Sequence, residues 1–236
     1  MTNPQKRPKD KRLALIAGPT ASGKTALALQ LAQSHPVTII NADSAQVYGA
    51  LPILSAQPSA KEMASAPHRL FGYLDGREAC SAARWALDAK REIEMAWSED
   101  HLPLLVGGTG LYLRTLLDGI APIPEIDPEV RSAVRSLPTA EAYRALADTD
   151  ATSAAALSPN DDSRIKRALD VLRSPGKSIV EWRKLREGGI GDAVDMRPPL
   201  LLPPRDWLHA RCDLRFEQML ERGAVDEVKA LLALGW

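Results

Sequence analysis

The sequence predicts an α/β fold, a parallel sheet flanked by helices with an inserted helical subdomain. Three observations carry that expectation. Apolar runs alternate with amphipathic segments through the first half of the chain, glycine-rich turns follow two of the runs, and from Ala121-Pro-Ile-Pro124 onward strand signals give way to helical ones.

The first apolar run, Leu13-Ala-Leu-Ile-Ala17, is a strand leading into Gly18-Pro19-Thr20-Ala21-Ser22-Gly23-Lys24-Thr25. That octapeptide is a complete G-x-x-x-x-G-K-T loop in its required strand-to-helix context, which makes the fold P-loop NTPase-like. Its glycines let the backbone wrap close enough for successive N–H groups and the following helix N-terminus to point at phosphate oxygens. Lys24 adds a point charge, and Thr25 a hydroxyl suited to Mg²⁺, so the loop is expected to bind a di- or triphosphate together with that ion.

A helix follows from about Lys24 to Gln33, then Val37-Thr-Ile-Ile40 is a buried strand ending in Asn41-Ala-Asp43-Ser44. The segment from His68 to Leu74 is a third apolar run ahead of a long helix. In that helix Ala82, Ala86, Ala89, Ile93 and Ala96 share one face, with Arg84, Lys90, Arg91 and Glu94 outside it. Leu102-Pro-Leu-Leu-Val106 gives another strand, and Gly107-Gly-Thr-Gly110 turns the chain into a helix ending near Gly119. In such sheets ligands sit beyond the strands' carboxyl ends, where the phosphate loop, Asp43 and Thr109 all fall.

The insert, residues 122–197, reads as helices only. Its charge is lopsided: residues 121–162 hold eight acidic and three basic side chains, and residues 163–186 hold eight basic and two acidic. Ile165, Ala168, Leu169 and Leu172 form a stripe that leaves Arg164, Lys166, Arg167 and Arg173 off the core face, either simply solvated or facing RNA. The core, residues 13–121 and 198–236, resumes with a short strand in Pro198-Pro-Leu-Leu-Leu-Pro-Pro204. A helix from Trp207 to Glu221 then turns Leu208, Cys212, Phe216, Met219 and Leu220 inward. Arg211 and Arg215 flank that face one turn apart, placed to close over a phosphate.

Thirty basic and thirty acidic side chains balance in 236 residues, so nucleic-acid contact must come from local clusters. Residues 1–12 form a basic tail without the apolar segment of a signal peptide, and no run of 18 apolar residues occurs, so the expected compartment is the cytoplasm. Cys80 and Cys212 suffice for neither a disulfide framework nor a zinc site.

Three chemistries fit a phosphate loop here. A regulatory GTPase lacks its guanine-selecting Asn-Lys-x-Asp. A small-molecule kinase using ATP remains open, since such enzymes also place a carboxylate after the second strand and paired arginines on a late helix. A transferase that holds a diphosphate leaving group is favoured by the fourth strand, which ends in Gly107-Gly108 instead of an aspartate that would help to place Mg²⁺.

Five ordered blocks then resemble the bacterial tRNA dimethylallyltransferases. They are the phosphate loop, Asp43-Ser44-Ala45-Gln46-Val47-Tyr48, Ala66-Pro67-His68-Arg69-Leu70, Gly107-Gly108-Thr109-Gly110-Leu111-Tyr112, and Asn160 through Leu169 with Gly176-Lys177. The resemblance implies transfer of a dimethylallyl group from its diphosphate to N6 of the adenosine 3′-adjacent to the anticodon, with Mg²⁺, in a monomer that grips the tRNA anticodon arm. It implies Asp43 as base and Thr109 as a contact to the target nucleotide, although either side chain could instead be a helix N-cap. It implies diphosphate contacts from Gly18 through Thr25, Arg211 and Arg215, and tRNA contacts from Asp43, Ser44, Ala45, Gln46, Thr109, Arg131, Ser163, Arg164, Ile165, Lys166 and Arg167. Two departures stand out. Leu54-Ser55-Ala56-Gln57-Pro58 replaces the family's Gly-Thr-Ala-Lys-Pro, and the family's Gly-Tyr-Arg and Lys-Arg-Gln segments have no counterpart before Trp236, so the chain reads as a truncated member, with an inactive one as the alternative. Transfer to free AMP is the remaining relative of this chemistry.

Overall fold

Leucine, isoleucine and valine runs that can be buried on both faces form the strands of a four-stranded, wholly parallel sheet. The computed structural model describes residues 11–196 and 198–235; Lys6, Arg7 and Lys9 of the expected tail lie outside the described residues. The chain divides into two units, one ending at Leu117 and resuming at Ile190, the other spanning Asp118–Gly189.

In the first unit β1 (Ala14–Ala17) enters the phosphate loop and α1 (Lys24–Ala32), β2 (Val37–Ala42) follows, and a short helix α2 (Ala60–Ser65) precedes β3 (His68–Arg69). Helix α2 is absent from the sequence reading, yet it carries a complete capping box in which Ser59 and Glu62 satisfy each other's backbone N–H groups. The run to Leu74 contributes only two residues of strand, because Leu70 adopts a φ of 62° and turns the chain away. Helix α3 (Ala82–Ser98) buries the expected stripe and Trp85 besides. It is followed by β4 (Leu102–Gly107) and α4 (Gly110–Asp118).

Strand order is β1-β4-β2-β3. Gly107 pairs with Ala17 on one side and Ala42 on the other, so β1, β4 and β2 end level. That register brings three loops to one edge: the phosphate loop after β1, Asp43 after β2 and Gly108-Thr109 after β4. Gly107 is required there because a Cβ would overlap the Ala42 carbonyl. One face of the sheet packs Trp85, Ala89, Ile93 and Leu116, the other Ala28 and its neighbours on α1.

The second unit holds α5 (Pro128–Arg135), α6 (Thr139–Thr149), α7 (Ala151–Ala155), α8 (Asp162–Arg173) and α9 (Ile179–Trp182) around Val134, Leu146, Ile165 and Leu169. It is helical as expected but ends at Gly189, not residue 197. The Ile190 N–H donates to the Leu116 carbonyl and Val194 is buried in the sheet core, which ties residues 190–196 to the first unit.

Residues 198–204 form no strand. Four prolines remove the donors a ladder needs, and only Leu200 bridges to Ala17, with the Leu201 N–H donating to the Ala17 carbonyl at 2.9 Å. The chain closes with α10 (Arg205–Glu221) and α11 (Ala224–Ala233). On α10 Met219 is buried, but Phe216 is 57% and Leu220 45% exposed, against expectation. Apolar side chains are spread around α10, so no single stripe dictates its orientation. The face bearing Arg211, Arg215, Gln218 and Arg222 borders a cavity instead.

Candidate active site

The phosphate loop folds as its sequence requires. Gly23 sits at φ 91°, ψ 13° ahead of α1, a left-handed conformation that glycine adopts without strain. Residues Thr20 to Thr25 line a cavity of about 490 Å³ shared with Asp43, Gln46, His68, Arg211 and Arg215. Gly18 and Pro19 are not among its lining residues, and their carbonyls accept from Lys24 Nζ at 3.0 and 2.7 Å. Burial holds the Lys24 pKa below its ordinary value, the Asp43 carboxylate pushes it back up, and the Arg215 guanidinium lowers it again. An arriving anion would favour the charged ammonium, as Asp43 does. Ser22 Oγ is buried in the loop without a hydrogen-bond partner, a further donor aimed at nothing in the chain itself. Arg211 is tied to the loop by its Nε, which donates to the Ala21 carbonyl at 3.2 Å, while its guanidinium lies 4.8 Å over the Trp207 ring.

Asp43 caps no helix; residues 44–47 form a turn. Its Oδ1 accepts from the Ala45 N–H at 2.9 Å, which holds the carboxylate in place, and Asp43 lines the cavity. The buried Asn41 holds the same turn from below, accepting from the Asp43 N–H and donating to the Asp43 and Leu70 carbonyls. Thr109 does not cap α4 with its side chain either. Its Oγ1 accepts from the Ser44 N–H at 2.9 Å and donates to Ser44 Oγ at 3.3 Å, coupling the end of β4 to the turn after β2. Ser44 and Ala45 complete that exposed turn.

On the second unit Arg131 lies on α5, and Ser163, Arg164 and Arg167 are exposed on α8. Two members of the expected contact set behave otherwise. Ile165 is fully buried in the helical core, so its side chain is unavailable to a partner. Lys166, only 17% exposed, pairs with Asp162 at 2.9 Å and donates to the Arg135 carbonyl at the end of α5. The lopsided charge thus folds partly back on itself, Asp161 likewise pairing with Arg164 at 3.4 Å.

The family model described as IPP transferase matches residues 46–235. The chain belongs to that family. Among its relatives, the tRNA dimethylallyltransferase of Sphingopyxis alaskensis is 57% identical over 224 residues, covering 94% of this chain and 73% of the relative. That of Erythrobacter litoralis is 55% identical, covering 94% and 71%. A eukaryotic dimethylallyltransferase caught acting on tRNA superposes with a TM-score of 0.83 at 30% identity, covering 95% of this chain and 56% of its own. The full-length tRNA isopentenylpyrophosphate transferase of Bacillus halodurans gives 0.62 at 31%, covering 95% and 71%.

Sequence reasoning missed several groups that shape this family member's cavity. Asn41 was legible only as a strand-end residue, although an asparagine two positions before an aspartate is a recognisable turn former. His68 is 8% exposed; its Nδ1–H donates to the Ala66 carbonyl and its Nε2 has no partner. Glu62, Gln57 and Arg222 also line the cavity; Glu62 was legible only as the end of a capping box and Gln57 only as a departure from the family pattern.

Proposed function

We propose that this chain transfers a dimethylallyl group from dimethylallyl diphosphate to N6 of the adenosine 3′-adjacent to the anticodon of tRNA, acting in the cytoplasm as a monomer. The observation that carries the reading is the sharing of one cavity by a phosphate-binding loop and the Asp43 carboxylate, one oxygen of which is held by the Ala45 N–H. Membership of the IPP transferase family favours it over a kinase.

The reaction breaks the bond between the allylic carbon and the diphosphate oxygen, and forms a bond from that carbon to N6. The N6 lone pair is delocalised into the purine, so attack needs a base for the proton that leaves; Asp43 Oδ2 takes it. Charge on the departing diphosphate is met by the loop N–H groups, by Lys24, which exchanges the Gly18 and Pro19 carbonyls for phosphate oxygens, and by Arg215. The target base must leave its stack to reach the cavity. Thr109 holds the Ser44 side of the entrance, and Arg131, Ser163, Arg164 and Arg167 supply anticodon-arm contacts.

Among the described residues no cluster of three His, Cys, Asp or Glu could cage a metal. The donor set instead suits Mg²⁺ arriving with the diphosphate, for which the Thr25 hydroxyl would be the protein's contact. When bound, it neutralises leaving-group charge. No helix among the described residues is long and apolar enough to cross a membrane.

The test offers tRNA with either labelled dimethylallyl diphosphate or labelled ATP and analyses the nucleosides by mass spectrometry. A dimethylallyl-bearing adenosine next to the anticodon is expected with the first. Phosphate transfer from ATP to a small acceptor, without that product, would return the chain to the kinase reading.

A further inference from the structure

Residues 51–57, which overlap the Leu54–Pro58 stretch where the sequence departs from the family's pattern, form a turn that reaches the active site through one side chain. The Ser55 and Ala56 carbonyls accept from Gln46 Nε2 at 2.9 and 3.0 Å. Both amide hydrogens of Gln46 are thereby consumed. The orientation of this amide is settled by its two carbonyl neighbours, and only Oε1 remains for the cavity that Gln46 lines. Gln46 can therefore accept from a substrate and cannot donate to it.

The turn holds itself only in part. The Ser55 N–H, Ala56 N–H and Gln57 N–H are satisfied within the turn, and Gln57 Nε2 donates to the Tyr48 carbonyl at 2.7 Å. Ala56 adopts a φ of 53°, a left-handed conformation costly for alanine. The Ile53 and Leu54 N–H groups point outward, and both are captured by one carboxylate from the far end of the chain. Glu227, in the first turn of α11, accepts from Ile53 at 2.7 Å and from Leu54 at 3.0 Å, one oxygen for each. Such two-pronged charged hydrogen bonds are stronger and more directional than neutral ones.

We propose that Glu227 is a positioning residue of the active site. By clamping the Ile53 and Leu54 amides it fixes the turn whose carbonyls orient Gln46, so that α11 sets which way Gln46 presents its acceptor to the incoming nucleotide. This rests on the tRNA reading above for its kinetic consequence, though not for its structural one.

Two measurements test it on the full chain. In NMR spectra the Gln46 side-chain amide protons and the Ile53 and Leu54 amides should exchange slowly in the parent and markedly faster in Glu227→Gln, whose new amide nitrogen faces an N–H donor. Unchanged exchange would overturn the clamp whether or not the protein modifies tRNA. In transfer assays Glu227→Gln should lower kcat/KM for tRNA about tenfold, the scale of a hydrogen bond to a charged group, with KM for dimethylallyl diphosphate unchanged. In a Gln46→Ala background the same substitution should cost less than about twofold. An equal loss in both backgrounds would show that Glu227 acts on stability alone. Glu227→Asp, which keeps the charge, should recover part of the slow exchange if the Gln variant is poorly folded.

Discussion

Replacing Asp43 by asparagine isolates the proposed proton transfer because the structure dictates how the new side chain must sit. The Ala45 N–H needs an acceptor, which only the amide oxygen can be. The amide nitrogen is forced into the place of Oδ2, so a donor replaces a base at the cavity wall. The turn keeps its hydrogen bonds, and stability should change by less than about 1 kcal/mol. Lys24 loses the carboxylate that raises its pKa, yet its carbonyl partners and the diphosphate remain, so substrate affinity should shift only a few-fold. Transfer itself should slow by roughly a hundredfold to ten-thousandfold, the range for loss of a general base. Single-turnover measurement with both substrates saturating separates that step from binding. A rate within a few-fold of the parent would refute the assignment and leave Asp43 as a turn former.

Arg164 and Lys166 on α8 should separate on mutation. Arg164→Glu should weaken tRNA binding and reduce its salt slope by about one, with unchanged melting, whereas Lys166→Glu should destabilise the helical unit by about 1–2 kcal/mol, discounted for the exposure of Asp162; equal effects on binding alone would undo the distinction. Gly107→Ala should cost at least about 1–3 kcal/mol, because the added methyl meets the Ala42 backbone and no flexible side chain can yield; thermal melting reads it, and a parent-like midpoint would refute the tight register. Burial pushes the Asp150 carboxyl up, but hydrogen bonds from Ser153 and Ser178 outweigh it and hold its pKa below the ordinary 3.8. A carboxylate depressed on folding stabilises above its unfolded value and stops doing so as pH falls through the folded one, so chemical denaturation of the parent should weaken below about pH 4, and Asp150→Ala should remove that part of the acid dependence.

Much of the fold could be read from the chain because its causes are local. The phosphate loop is specified by eight contiguous residues, the α3 face by a repeat at helical spacing, and the helical character of residues 122–189 by stripes such as Ile165, Ala168 and Leu169. Even the convergence of the phosphate loop, Asp43 and Thr109 followed, since alternating strands and helices put all three at strand carboxyl ends.

What only the tertiary structure decided depends on partners far apart in sequence. The pairing of Gly107 with Ala17 and Ala42 fixed the level at which three loops meet, and no local pattern encodes strand order. Lys166 looked free on a helical wheel until α5 supplied the Arg135 carbonyl. The residues of α10 suggested an inward face through Phe216 and Leu220 that the structure leaves exposed, and contacts to a loop 190 residues earlier, as in the bond from Arg211 to Ala21, go with a different orientation. Glu227 and Ile53 stand 174 residues apart. A carboxylate in the first turn of a helix reads in the sequence as a favourable charge for that helix and nothing more. Hydrogen-bond partners are selected by distance in space, and the sequence records only distance along the chain.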